Sequence, residues 1–225
     1  MAETIEELKK EIERLKAAQQ TEKLNFILSQ DSASPECIAK QVKKAFPVPK
    51  MCVDFAGDAE DELCRYNFKP AGDVEYTEEG VKFSGNERLD IIPAVEIRGQ
   101  DFVVETEFKV DRVKDANWVL GDLYDGNSVS DRKDTAFHMG FRNASLFSVD
   151  FYGDGMNVRV QQEANQWYKA KFSFNARTKI GTLTVNGQEF KHRFRTPYSD
   201  KISFIGSGAQ NSAKFIGIVK NVCIY

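Results

Sequence analysis

The stretch Asp101-Phe102-Val103-Val104-Glu105-Thr106-Glu107-Phe108-Lys109-Val110 decides the fold class of this chain. Phe102, Val104, Thr106, Phe108 and Val110 share one parity, while Val103, Glu105, Glu107 and Lys109 share the other. Successive side chains of a strand point to opposite faces, so this segment predicts a strand with one core face and one wet face. The same alternation recurs at Phe147/Val149/Phe151, at Tyr168/Ala170/Phe172/Phe174 and at Phe190/His192/Phe194. Between the last two, Leu183-Thr184-Val185-Asn186-Gly187-Gln188-Glu189-Phe190 carries a hairpin signal, because Asn-Gly supplies the two positive-φ residues of a type I′ turn. Repeated short strands with turn residues between them predict an antiparallel sandwich or barrel. The 17 Phe residues agree, since Phe suits a pleated, half-buried surface. No internal repeat is visible, which argues against propellers and solenoids.

Toward the N-terminus the period changes to that of a helix. Over residues 1–30, Ile5, Leu8, Ile12 and Leu15 are spaced 3-4-3, the a/d seam of a coiled coil, with Glu and Lys on the flanks. Thr4 and Glu7 form a capping box. The seam falters at Gln19 and Glu22, and two heptads alone are marginal in water. The helix is therefore expected to self-associate or dock on a larger partner through those four residues; folding back on its own domain is the alternative. Residues 31–50 read as a short helix and connector. Ser34 is the N-cap, Pro35 the first helical residue, Ile38, Val42 and Phe46 the apolar stripe, and Pro47 and Pro49 the stop. Residues 51–225 are then the β domain.

Composition narrows the function classes. Hydrophobic residues at 41% and charged residues at 29% are those of a globular chain, not a disordered one. A net charge of −3 offers no global attraction to nucleic acid or anionic membrane. The N-terminus is charged from its third residue and lacks an apolar h-region, so neither a secretory signal nor a membrane span is expected. The expected address is cytoplasmic, with an extracellular one ranked second. Cys37, Cys52, Cys64 and Cys223 lack metal-ligand spacing and are expected as reduced thiols, unless export closes a Cys52–Cys64 loop. Asn143-Ala144-Ser145 fits the glycosylation pattern, which has meaning only on export.

The order of motifs over 51–225 resembles the laminin G-like jelly roll of the concanavalin A-like superfamily. It opens with Val53-Asp54-Phe55-Ala56-Gly57-Asp58, continues through Gly80-Val81-Lys82-Phe83-Ser84-Gly85 and the strand quoted first, and reaches Gln166-Trp167-Tyr168-Lys169-Ala170-Lys171-Phe172-Ser173-Phe174. After the Asn-Gly hairpin, Ile205-Gly206 and the run from Phe215 to Tyr225 complete the pattern. The resemblance implies a two-sheet antiparallel jelly roll; a sandwich of different topology is the alternative. Gly217 in the terminal strand is expected to permit close backbone approach or a bulge.

Candidate chemistry is sparse. Hydrolases of this superfamily tend to carry a Glu-x-Asp-x-x-Glu strand, and Glu105-Thr106-Glu107 lacks the Asp and the third acid. His138 and His192 are the only histidines and no nucleophile motif accompanies them, so both are read as structural. No GxGxxG or P-loop supports nucleotide chemistry. The loop from Gly121 to Asp134 gathers hard oxygen ligands, Asp122 and Asp125 among them, as a Ca²⁺ site requires. The resemblance implies a rim Ca²⁺ held by an Asp just before a strand, the position of Asp134, with Asn211 a loose match for a ligand from a later loop. A solvated polar loop is the competing reading. Lys191, Arg193 and Arg195 share a strand parity and, with Lys169 and Lys171, suggest a basic strip for an acidic glycan or protein. A solvated edge whose lysines block strand pairing is the bland account. Trp167 is expected to anchor the core, whereas Trp118 is a candidate for a ligand surface.

The sequence thus points to a non-catalytic binding module for a glycan or protein, clustered or tethered by the N-terminal helix, which would add avidity. A scaffold component of an intracellular assembly is the alternative, and a glycoside hydrolase ranks last.

Overall fold

The computed structural model describes residues 49–59, 65–122, 137–151, 154–195, 201–208 and 215–225. The N-terminal helix with its seam of Ile5, Leu8, Ile12 and Leu15, and the connector helix, lie outside the described residues. The chain divides into two units, Met1–Val48 and Pro49–Tyr225, and the second is described below.

Among the described residues the secondary structure is β. Four short strands come first: β1 (Met51–Asp54), β2 (Asn67–Ala71), β3 (Glu75–Thr77) and β4 (Gly80–Ser84). Two longer ones follow, β5 (Arg88–Glu96) and β6 (Phe102–Val110). A run of four comprises β7 (Asn117–Gly121), β8 (Phe137–Asn143), β9 (Leu146–Phe151) and β10 (Gly155–Arg159). Then come β11 (Gln166–Asn175), β12 (Ile180–Val185), β13 (Gln188–Arg193), β14 (Lys201–Ile205) and β15 (Ile216–Ile224).

These strands build two antiparallel sheets packed as a sandwich. The first runs β13-β12-β11-β6-β15-β4-β3, with β1 also pairing β15; the second runs β10-β9-β8-β7-β14-β5-β2. β1 and β4 share one side of β15, since Asn221–Ile224 pair with β1 and Ile216–Val219 with β4. The Asn186-Gly187 turn joins β12 to β13 with φ of 47° and 84°, as the dipeptide predicts. At Gly217 an added Cβ would meet the Lys109 carbonyl oxygen at 2.0 Å, so β15 approaches β6 as only glycine allows. A bulge follows between Val219 and Asn221.

The core is the aromatic layer between the sheets. Phe108 of β6 sits among Phe141, Phe147, Tyr168 and Phe215, with ring centroids 5.5–6.3 Å apart. Phe151 and Phe194 close the layer at one side, where the edge strands β10 and β13 of the two sheets come together. Each fully buried Phe contributes about 1.5–3 kcal/mol by leaving water.

Two expectations need correction here. Trp167 does not anchor the core: Tyr168 points inward at 2% exposure, so its neighbour must point out. Lys109 Nζ lies 5.3 Å from the Trp167 ring centroid on that outer face. Cys52 is not a reduced thiol and does not pair with Cys64; it is bonded to Cys223, its direct partner in the β1–β15 register. The antiparallel register brings together two residues 171 positions apart, which no spacing rule in the sequence reveals.

Candidate functional site

In β8 and β9 of the second sheet the inward parity is apolar, and part of the outward, polar parity is covered. Phe137, Met139 and Phe141 of β8, and Phe147, Val149 and Phe151 of β9, are buried in the core. Their alternates, His138, Ser148 and Asp150, face outward and are nevertheless buried, at 7%, 0% and 8% exposure. Burying polar groups on an outer face costs free energy unless partners compensate.

Strand register places these groups in two rows. Gly155, Asp150 and His138 are opposed across β10, β9 and β8, and so are Asn157, Ser148 and Gly140, with Trp118 of β7 next. Gly140 is required there. A Cβ would lie 2.7 Å from both the Asn117 carbonyl oxygen and Trp118 Cα, so β7 and β8 close up only without one. Gly155 is bare for a related reason: its Cβ would meet Asp150 Oδ2 at 2.8 Å.

Of these rows, Gly155, Asp150, His138, Asn157 and Trp118 line a cavity of about 960 Å³. Asp150 Oδ2 is 3.7 Å from His138 Nε2 and 3.9 Å from an Arg142 guanidinium nitrogen. Ser148 Oγ donates to Asn157 Oδ1 at 2.6 Å, and Arg142 Nη1 reaches the same oxygen at 3.5 Å. His138 Nδ1 is buried and has no hydrogen-bond partner among the described residues. Trp118 packs edge-on against the His138 ring, centroids 4.4 Å apart, and Gly208 covers it so closely that a Cβ there would sit 2.3 Å from the indole. At 8% exposure the indole closes the wall of the cavity and offers no open stacking platform.

The opposite wall comes from the end of β13. His192 Nε2 lies 3.8 Å from Asp154 Oδ1, and the Arg195 backbone N–H donates to Asp154 Oδ2. Asp154, itself buried, thereby ties the first sheet's edge strand to the β9–β10 connection. Arg193 and Arg195 are exposed and line the cavity.

The structure brings Trp118, Arg193 and Arg195 to one cavity and leaves Lys191 outside it, 3.0 Å from Glu189 on an exposed edge. Lys169 and Lys171 do not extend a basic strip, because they face Glu107 at 3.6 Å and Glu105 at 2.7 Å. Those two glutamates stand on the wet face of β6 as lysine partners. Asp122 is buried and accepts a hydrogen bond from Ser203 Oγ. Asp125, Asp134 and Asn211 lie outside the described residues. Among the described residues, no group of three His, Cys, Asp or Glu side chains could hold a metal ion. No described helix is long and apolar enough to cross a membrane.

Sequence reasoning passed over Arg142, Asp150, Asp154 and Asn157, and read His138 and His192 as structural. A signal was present. Phe137-His138-Met139-Gly140-Phe141-Arg142 and Phe147-Ser148-Val149-Asp150-Phe151 alternate apolar with polar, and the polar members of two such strands must share a face.

No family model matches the chain, and no curated protein sequence matches it. Solved structures do. Domain 4 of AbnA, a GH43 extracellular arabinanase from Geobacillus stearothermophilus, in complex with arabinotriose, is similar over 79% of this chain and 91% of that one, with 13% identity and a TM-score of 0.59. The CBM40 of Ruminococcus gnavus IT-sialidase bound to α2,3-sialyllactose is similar over 65% of this chain and 89% of that one, with 13% identity and a TM-score of 0.51. Trypanosoma rangeli sialidase is similar over 78% of this chain at 14% identity and a TM-score of 0.57, but the match spans only 30% of the sialidase. At such identities the likeness is one of fold, and it agrees with a jelly-roll β-sandwich.

Proposed function

We propose that the β domain is a glycan-binding module whose site is the cavity on the outer face of the second sheet. The observation that carries this reading is the set of polar side chains on the outward parity of β8, β9 and β10: His138 and Asp150 are buried yet line the cavity, the exposed Asn157 lines it beside them, and buried Ser148 holds Asn157 in place. A sandwich needs only its inward parity to fold, so polar groups held on the outer face of a concave site suit a ligand rich in hydroxyls. The similar folds that hold arabinotriose and sialyllactose support the same reading.

Binding fits the site better than hydrolysis. Asp150 and Asp154 both line the cavity, but Asp154 accepts from a backbone N–H and Asp150 lies against His138 and Arg142. A glycosidase needs one carboxyl free to donate a proton to the leaving oxygen. The heptad seam at Ile5, Leu8, Ile12 and Leu15 supports clustering of such modules, which multiplies weak affinities.

The test is a saccharide array probed with the full chain and with an Asp150→Ala/Asn157→Ala variant. Binding by the parent that the variant loses is the expected result. Equal binding by both places the ligand elsewhere, and release of reducing ends from a bound saccharide overturns the non-catalytic assignment.

A further inference from the structure

Resting on that reading, we infer that the saccharide is anionic, with its carboxylate or sulfate ester held by the guanidinium groups of Arg193 and Arg195. Three arginines, Arg142, Arg193 and Arg195, line the cavity against two carboxylates, Asp150 and Asp154. The carboxylates are already matched within the site. Asp150 lies at ion-pair distance from Arg142 and His138, and Asp154 accepts from the Arg195 backbone N–H with His192 beside it. The side chains of Arg193 and Arg195 have no ion pair or hydrogen bond among the described residues. They are also close in sequence, and both line the same cavity.

The walls point the same way. Neutral sugars are held in many sites by an aromatic face against the pyranose ring, but the Trp118 indole is covered by His138 and Gly208. Recognition in this cavity therefore falls to polar contacts. Of the polar groups available, a planar guanidinium fork binds carboxylate or sulfate oxygens in pairs, and its charge-assisted hydrogen bonds are about twice as strong as neutral ones.

Titration calorimetry of the full chain provides the test, with 3′-sialyllactose and its methyl ester, a galacturonate trisaccharide and its methyl ester, and a sulfated and an unsulfated disaccharide. At least one acid is expected to bind tenfold or more tightly than its neutral counterpart. Raising the salt from 50 to 500 mM should weaken the acid and leave the ester unchanged. Arg193→Ala/Arg195→Ala should lower the acid's affinity at least tenfold, to the level of the ester. Both side chains are exposed, so the variant should keep the parent's circular dichroism and melting temperature. Whether a carboxylated or a sulfated sugar responds identifies the anion. Ester and acid binding alike, or an acid affinity that survives the double substitution, overturns the inference and leaves glycan binding standing. Absence of binding to all of these sugars and to the wider array overturns both.

Discussion

Asp150 Oδ2 lies 3.7 Å from His138 Nε2 on the outer face of the second sheet, with both side chains nearly excluded from water. Arg142 shares the same carboxylate oxygen at 3.9 Å. Asp150→Ala would leave His138 and Arg142 without their common anion. Urea unfolding should show a loss of about 1–3 kcal/mol, because removing Asp150 leaves the buried His138 uncompensated, whereas the exposed Arg142 keeps its water. Asp150→Asn, which keeps shape and acceptor capacity, should lose less.

Gly140→Ala places a methyl group 2.7 Å from the backbone of β7. The strands have to part, and overpacking of this kind costs about 1–3 kcal/mol. The displacement falls beside Trp118, so saccharide affinity should fall together with the melting temperature. A variant of parental stability would show that β7 and β8 tolerate the wider spacing.

Glu87 is nearly buried, at 7% exposure. Burial by itself pushes its carboxyl up, but hydrogen bonds from Ser84 Oγ at 2.6 Å, the Ser84 N–H at 2.8 Å and the Asn86 N–H at 3.2 Å outweigh it and hold the group below its ordinary 4.5. A folded value below the unfolded one means the stabilisation is fully present above about pH 4.5. It is lost as the pH falls through the folded value. Glu87→Gln should therefore lower stability by about 1–2 kcal/mol at pH 7, with the gap to the parent closing in denaturant titrations as the pH falls from 4.5 through the folded value.

Tyr168 donates its hydroxyl to the Gln161 carbonyl at 2.9 Å and accepts from the Glu163 N–H at 2.8 Å. Burial raises the pKa of its phenol, chiefly against the opposing Glu163 N–H bond. Tyr168→Phe keeps the stack on Phe108 but orphans both backbone groups, so about 1–2 kcal/mol should be lost in thermal unfolding. A change within error would show that water replaces the hydroxyl.

Non-reducing peptide mapping should recover the Cys52 and Cys223 peptides joined. Reduction, or Cys52→Ser, releases a loop closed over 171 residues. In the chain-entropy account such a loop is worth a few kcal/mol, so the midpoint of urea unfolding should drop on adding reductant. Separate peptides from oxidised protein would count against the bond.

Local pattern was enough for the sandwich itself. Alternation in Phe102–Val110, Phe147–Phe151 and Gln166–Phe174 has to produce strands with one apolar face, because the pleat has a period of two and water excludes the Phe parity. Asn186-Gly187 likewise dictates its own turn, and Gly217 its close approach, through backbone conformation within one or two residues. What local pattern could not determine was which wet faces stay wet. Glu105 and Glu107 remain solvated beside lysines, whereas His138 and Asp150, on strands of the same alternation, are covered.

That difference arises from long-range placement. β13 of the first sheet meets the β9–β10 side of the second and carries Arg193 and Arg195 to the cavity that Trp118 walls, across more than seventy residues of chain. Register does the same for Cys52 and Cys223. The sequence alone determined strands, turns and core parity, since these depend on near neighbours and water. Only the tertiary structure decided the partners across sheets, because the pairing of distant strands is set by the packing of the whole aromatic layer and by no local rule.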